Sequence, residues 1–116
     1  MIDQKFIDFT LNHEILYTVI VDLDKKTVIS SGWRHKLPYD GLVKSLFDDE
    51  DTVISVNDSL EDQILPQSVM QGDLNCTLCK PKKNILVGLF YIDKREPFES
   101  YEFSIRLNDE INSMLS

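Results

Sequence analysis

The sequence predicts an α+β fold: a single-layer antiparallel sheet of about five strands with flanking helices. Three observations predict it. Two segments, Leu16–Leu23 and Ile85–Ile92, are almost continuously apolar and rich in β-branched and aromatic residues, as strands covered on both faces are. Each is joined to an adjacent extended segment by a short polar turn, so the strands come as hairpin-linked runs. Apolar residues at spacings of three and four mark helices near the start, in the middle and at the end of the chain.

Taken in order, Ile2, Phe6 and Phe9, with Ile7 and Leu11 beside them, form the stripe of an amphipathic helix over residues 3–12. Leu16-Tyr17-Thr18-Val19-Ile20-Val21-Asp22-Leu23 is the first central strand. Asp24-Lys25-Lys26 is a polar turn, and Thr27 to Trp33 is the returning strand of a hairpin. Gly32 near its end marks a bulge or a close backbone approach. Pro38 opens a helix running to about residue 47, whose apolar face is Leu42, Val43, Leu46 and Phe47. The run Asp48-Asp49-Glu50-Asp51 opposes the negative end of that helix and is expected to lie beyond it.

Residues 48–66 carry two patterns. Thr52-Val53-Ile54-Ser55-Val56 has strand composition, yet Val53, Val56, Leu60 and Ile64 are spaced as on a helix. The expectation is a short strand at 52–56, then one or two helical turns at about 59–65, entered through Asn57, Asp58 and Ser59. From Pro66 to Lys80 the chain is extended, with a bend at Gly72-Asp73. Pro81-Lys82-Lys83-Asn84 is turn chemistry, and Ile85–Ile92 is the second central strand. Pro97 opens a last helix carrying Phe103, Leu107, Ile111 and Met114, widened by Tyr101, Ile105 and Leu115.

At 116 residues, with 42% hydrophobic and 28% charged residues, the chain has the composition of one globular domain over residues 1–116. Twelve basic against twenty acidic residues give a net charge of −8. That balance argues against duplex nucleic acid and anionic membranes, and it favours encounter with a basic protein. No apolar run approaches a membrane span, and Met1-Ile2-Asp3-Gln4-Lys5-Phe6 lacks the basic and apolar regions of a signal peptide. Two cysteines three residues apart suit a reducing compartment, so the expected location is cytoplasmic.

No constellation for catalysis stands out, and the chain is expected not to be an enzyme. Cys76-Thr77-Leu78-Cys79 has chelate spacing, but in a strand alternation sends the two thiols to opposite faces. They are expected to be buried small side chains, with a zinc site shared across an interface as the alternative. Around Asp22 and Asp24 the ligand spacing of a calcium loop is missing, and 48–51 fits a solvated loop. His13 ends the first helix, and His35 has no triad context. Gly32, Gly41, Gly72 and Gly88 are scattered, so neither a phosphate loop nor a dinucleotide fingerprint exists, and no cofactor is expected. Two surface features remain. Trp33 and Arg34, followed by His35-Lys36, have the composition of a partner-binding hot spot, unless Trp33 caps the core under the middle helix. Lys80, Lys82 and Lys83 make a small basic tip.

The stretch from Leu16 to Gly32, following a short helix, resembles the first hairpin of the roadblock/dynein light-chain family: an apolar strand ending in Asp, a polar turn, and a strand closing on a small residue and Gly. The segment Ser68–Ile92 is similar to that family's three-strand meander, and a terminal helix follows. The resemblance implies a roadblock/profilin-like fold and a non-catalytic adaptor or regulatory role, commonly with small GTPases or motor assemblies. It further implies a homodimer formed through the middle helix and the neighbouring sheet edge, which places Val43, Phe47 and Val69 near the seam. Two other readings compete. PAS-like sensor domains share the first hairpin and would need a ligand cavity between sheet and middle helices. An acidic immunity or inhibitor protein for a basic toxin would use the −8 charge.

Overall fold

The structure is a computed structural model describing residues 4–63 and 65–115. In chain order it comprises α1 (Gln4–Asn12), β1 (Tyr17–Asp22), β2 (Thr27–Gly32), a 3₁₀ turn (Arg34–Lys36), α2 (Gly41–Phe47), α3 (Glu50–Ser59), β3 (Gln67–Gln71), β4 (Leu74–Lys82), β5 (Ile85–Ile92) and α4 (Pro97–Leu115). The strands form one antiparallel sheet in the order β2-β1-β5-β4-β3. The two apolar ribbons therefore lie side by side at its centre, Val19 opposite Gly88 and Val21 opposite Leu86.

Alternation along these strands builds two cores. Val19, Val21, Leu86 and Phe90 face α2 and α3, where they meet Leu42, Val43, Leu46 and Val53. Ile20, Val87, Leu89 and Tyr91 face the other way, onto Phe6 and Phe9 of α1 and Phe103, Leu107 and Ile111 of α4. Covering both faces explains why the central strands are apolar throughout. Each fully buried Leu or Phe contributes about 1.5–3 kcal/mol. The edge strand β2 is covered on neither face, and all of its side chains stay exposed except that of Ser31, which is half-buried.

The first helix keeps Phe6 and Phe9 inward but turns Ile7 and Leu11 to solvent; Ile2 and Asp3 lie outside the described residues. In the first turn the Asp22 carboxylate accepts the backbone N–H groups of Asp24 (3.0 Å) and Lys25 (3.1 Å), which lets Lys26 adopt a φ of 54°. Gly32 resolves as a close approach. Its φ is 94°, and a Cβ there would stand 2.3 Å from the Leu16 carbonyl oxygen.

The 48–66 stretch corrects the sequence expectation. Residues 52–56 are not a strand but the middle of α3, and the helix has ended before 61–63. Asp49 decides this. Its carboxylate accepts the Thr52 N–H at 3.1 Å and the Thr52 hydroxyl at 2.8 Å, and Glu50 and Asp51 then sit in the first turn, at the positive end of the helix dipole. The acidic run thus lies beyond α2 as expected, but it does so by starting the next helix. Tertiary burial of Val53 and Leu60 outweighs the β propensity of Val53, Ile54 and Val56. Ile64 lies outside the described residues.

Two smaller boundaries also move. The middle helix begins at Gly41, after Asp40, rather than at Pro38. β4 runs through Pro81 to Lys82, with a register shift between Cys79 and Lys82 that accommodates a residue unable to donate a hydrogen bond.

Candidate protein-interaction surfaces

The cysteine pair separates as the strand alternation requires. Cys76 belongs to the core under α2 and α3, Cys79 to the core under α1 and α4, and both are buried. Burial pushes both thiols up, Cys79 to about 12. A zinc site shared across an interface is incompatible with that placement. Among the described residues, no three His, Cys, Asp or Glu side chains come together as metal ligands would. His13 reaches across to α4, with Nε2 2.6 Å from a Glu110 carboxylate oxygen and its ring edge-on to Phe9 and Phe103. It is a clasp between two helices. The basic tip is smaller than the sequence suggested, because Lys80 folds back to donate to the Asn57 carbonyl oxygen (3.1 Å) and to pair with Glu61. Lys82 and Lys83 alone remain exposed there.

Trp33 is 62% exposed, so it is not a cap on the core. The indole stands between His35, whose ring is 5.7 Å away and edge-on, and Lys36, whose Nζ lies 5.6 Å from the ring centroid. Arg34 points elsewhere. Its guanidinium bridges Asp40 (2.6 Å to Oδ1) and Asp48 (2.8 Å to Oδ2), tying the 3₁₀ turn to both ends of α2. Hydrogen bonds to Asp48 and then Asp40 raise the Arg34 pKa, and the same bonds from Arg34 hold both carboxyls below the usual range. A shallow depression bounded by Tyr17, Ser30, Trp33 and Leu37 adjoins this group. The structure therefore brings Trp33 and Arg34 to one surface but gives them different work: the indole is free for contact and the guanidinium is a brace.

The three residues expected at a dimer seam divide differently. Val43 is 1% exposed, pointing from α2 into its own core, and it is unavailable to a partner. This corrects its assignment: the stripe that α2 shows in the sequence is consumed by the sheet. Phe47 is half-buried, and its ring rests on Gly88, where an added Cβ would meet Cζ at 2.5 Å. It lies edge-on to Phe90, at 5.9 Å between ring centroids. Val69 is half-buried in the middle of β3, packed toward the α2 side beside Cys76. The exposed apolar residue at this edge is its neighbour Met70, 62% exposed, which alternation sends to the α4 face. Sequence reasoning missed Met70 because one isolated methionine between polar residues carries no periodic signal.

No protein-family model matches this chain, and no curated protein matches its sequence. Among solved structures, Myxococcus xanthus MglB superposes with a TM-score of 0.59 over 92% of this chain and 88% of the MglB chain, at 10% identity. The fold is roadblock-like. A likeness at that identity shows the architecture and carries no activity with it. Among the described residues no helix is long and apolar enough to cross a membrane.

Proposed function

We propose that this protein is a non-catalytic interaction domain, working in the cytoplasm as an adaptor or regulator. It pairs with a second copy through β3 and the adjoining end of α2, and it presents the Trp33 surface to a protein partner, a small GTPase being the class the fold favours. One observation carries the reading: a roadblock-like sheet whose β3 edge is unpaired among the described residues, neutral and bordered by an exposed Met70. An open strand edge is a template for pairing, and a two-fold contact uses one patch twice. Val69 supports the seam from beneath and Met70 forms its exposed rim, whereas Phe47, at the far end of α2, packs on Gly88 and faces the β2 side.

The sensor reading requires a cavity between the sheet and the middle helices. That space is filled where the Phe47 ring packs on Gly88 and Phe90, and what remains is a groove opening at the β2 side. The test is sedimentation of the purified protein, followed by binding to purified small GTPases loaded with GDP or a GTP analogue. The reading predicts a dimer that Met70→Asp dissociates without unfolding, and a GTPase complex that Trp33→Ala weakens. A folded protein that stays monomeric and ignores GTPases in both nucleotide states contradicts it.

A further inference from the structure

The opposite edge of the sheet carries a separate inference. β2 is a six-residue strand, Thr27-Val28-Ile29-Ser30-Ser31-Gly32, paired to β1 along its whole length and to nothing else among the described residues. Trp33 donates its N–H to the Leu16 carbonyl, and Leu23 donates to Asn84 on the β5 side. Strand parity then directs Thr27, Ile29 and Ser31 toward β1, and it sends the N–H and C=O groups of Val28, Ser30 and Gly32 outward. These outward groups have no ladder partner. Nor does the strand use the usual devices against pairing: it has no charged residue, no proline, and a register with β1 free of shifts.

Beside the edge, on the Val28 face, runs a groove of about 570 Å³ between the hairpin and α3, lined by Val21, Phe47 and Ile54 and by the charged Asp22, Lys26 and Glu50. Val28 itself is 67% exposed. A residue directly opposite Val28 on an added strand would project onto this same face, over the groove. The edge and the groove together form a docking site with a backbone part and a side-chain part.

Charge selects the occupant. Cations flank the neutral strand at both ends, Lys25 and Lys26 before it and Lys36 after it. Arg34 is neutralised by Asp40 and Asp48, and Asp24, held by the Asn84 amide (2.8 Å), leaves the Asp24-Lys25-Lys26 turn with one net positive charge. A second copy would add antiparallel, setting Lys25 and Lys26 of one chain against Lys36 of the other. Those flanks repel self-pairing. A strand with a neutral, β-branched centre and acidic residues at both ends meets them with opposite charge, and screening limits the repulsion of the chain's overall −8 to about 8 Å at physiological salt.

The geometry points to β2 as a strand-addition site for an extended, acid-flanked segment of another protein. The inference rests on the reading of this chain as a protein-binding domain but not on its pairing through β3. The probe is a fluorescein-labelled peptide, acetyl-Glu-Asp-Thr-Val-Thr-Val-Thr-Asp-Glu-amide, with a twin bearing lysine at all four acidic positions. Anisotropy is expected to show binding of the acidic probe, and at least about tenfold weaker binding of the lysine twin and of the acidic probe to Ser30→Pro, which removes an outward N–H. Amide exchange in the unaltered protein decides the case even if Ser30→Pro misfolds. Protection at Val28, Ser30 and Gly32 should rise on peptide addition, whereas Ile29 and Ser31 are already protected. Absence of binding, equal binding of both peptides, or binding without new protection at those three amides overturns the inference. A dimer that fails to bind the peptide removes this site alone, and a peptide-binding monomer removes the β3 pairing alone.

Discussion

Val43 separates a seam residue from a core residue, and its substitution is worth working through. At 1% exposure it packs among Leu42, Leu46, Phe90 and their neighbours on the α2 side of the sheet. Val43→Ala deletes two methyl groups from a site that cannot fully collapse, which costs about 2–3 kcal/mol. Val43→Asp instead places a carboxylate in the same apolar surroundings. Burial raises such a group by about 3 pKa units or more, worth roughly 4 kcal/mol at neutral pH on top of the lost apolar contact. The total, about 5–7 kcal/mol, is comparable to the whole stability of a domain this size. The sign with pH follows, because the folded-state pKa lies above the unfolded value. The excess destabilisation is fully present above the raised pKa and shrinks as pH falls toward about 4. Urea unfolding monitored by circular dichroism is the assay. Val43→Asp is expected to be largely unfolded at pH 7 and partly rescued near pH 4.5, with Val43→Ala folded but weaker. A Val43→Asp protein with unchanged unfolding midpoint and altered sedimentation would refute the burial argument and put Val43 at a surface.

Asp49→Ala should cost about 0.5–2 kcal/mol in urea unfolding by uncapping α3, and an unchanged midpoint would mean that the cap is idle. Arg34→Gln should return the Asp40 and Asp48 carboxyls toward their ordinary value of 3.8, read by NMR titration. Since both are depressed in the folded state, the stability they supply is present above about pH 4 and lost as pH falls through the lowered values. The two exposed acids make this a small effect, and titration curves unmoved by Arg34→Gln would contradict the brace. Cys76 and Cys79 should resist a thiol reagent in the native protein and react together on unfolding, since burial holds both thiols protonated. Rapid labelling of either one under native conditions would contradict their placement.

Most of the sheet was legible in the sequence because its centre is chemically extreme. Leu16–Leu23 and Ile85–Ile92 are apolar at nearly every position, and their shortness and β-branched and aromatic content mark them as strands covered on both faces. The opposite placement of Cys76 and Cys79 followed from alternation alone. The stretch from Asp48 to Ser59 was misread because local propensity and helical spacing disagree there, and the vote that settles it belongs to one capping carboxylate and two buried side chains. The surfaces were harder still. A stripe such as Leu42-Val43-Leu46-Phe47 says that a helix has an apolar side, not whether sheet or partner covers it. Trp33 carries the same ambiguity, since a lone indole reads alike inside and outside. Met70 and the bare edge of β2 become visible only once the strand order is known.

The pairing edge can be read directly by crosslinking, because the native thiols are buried and silent. Met70→Cys on β3 and Ser30→Cys on β2, each treated with a short bis-maleimide and resolved by denaturing electrophoresis, ask which edge meets a second copy. A covalent dimer from Met70→Cys, with Ser30→Cys remaining monomeric, is the predicted result. A dimer from Ser30→Cys alone, or from neither, would contradict pairing through β3.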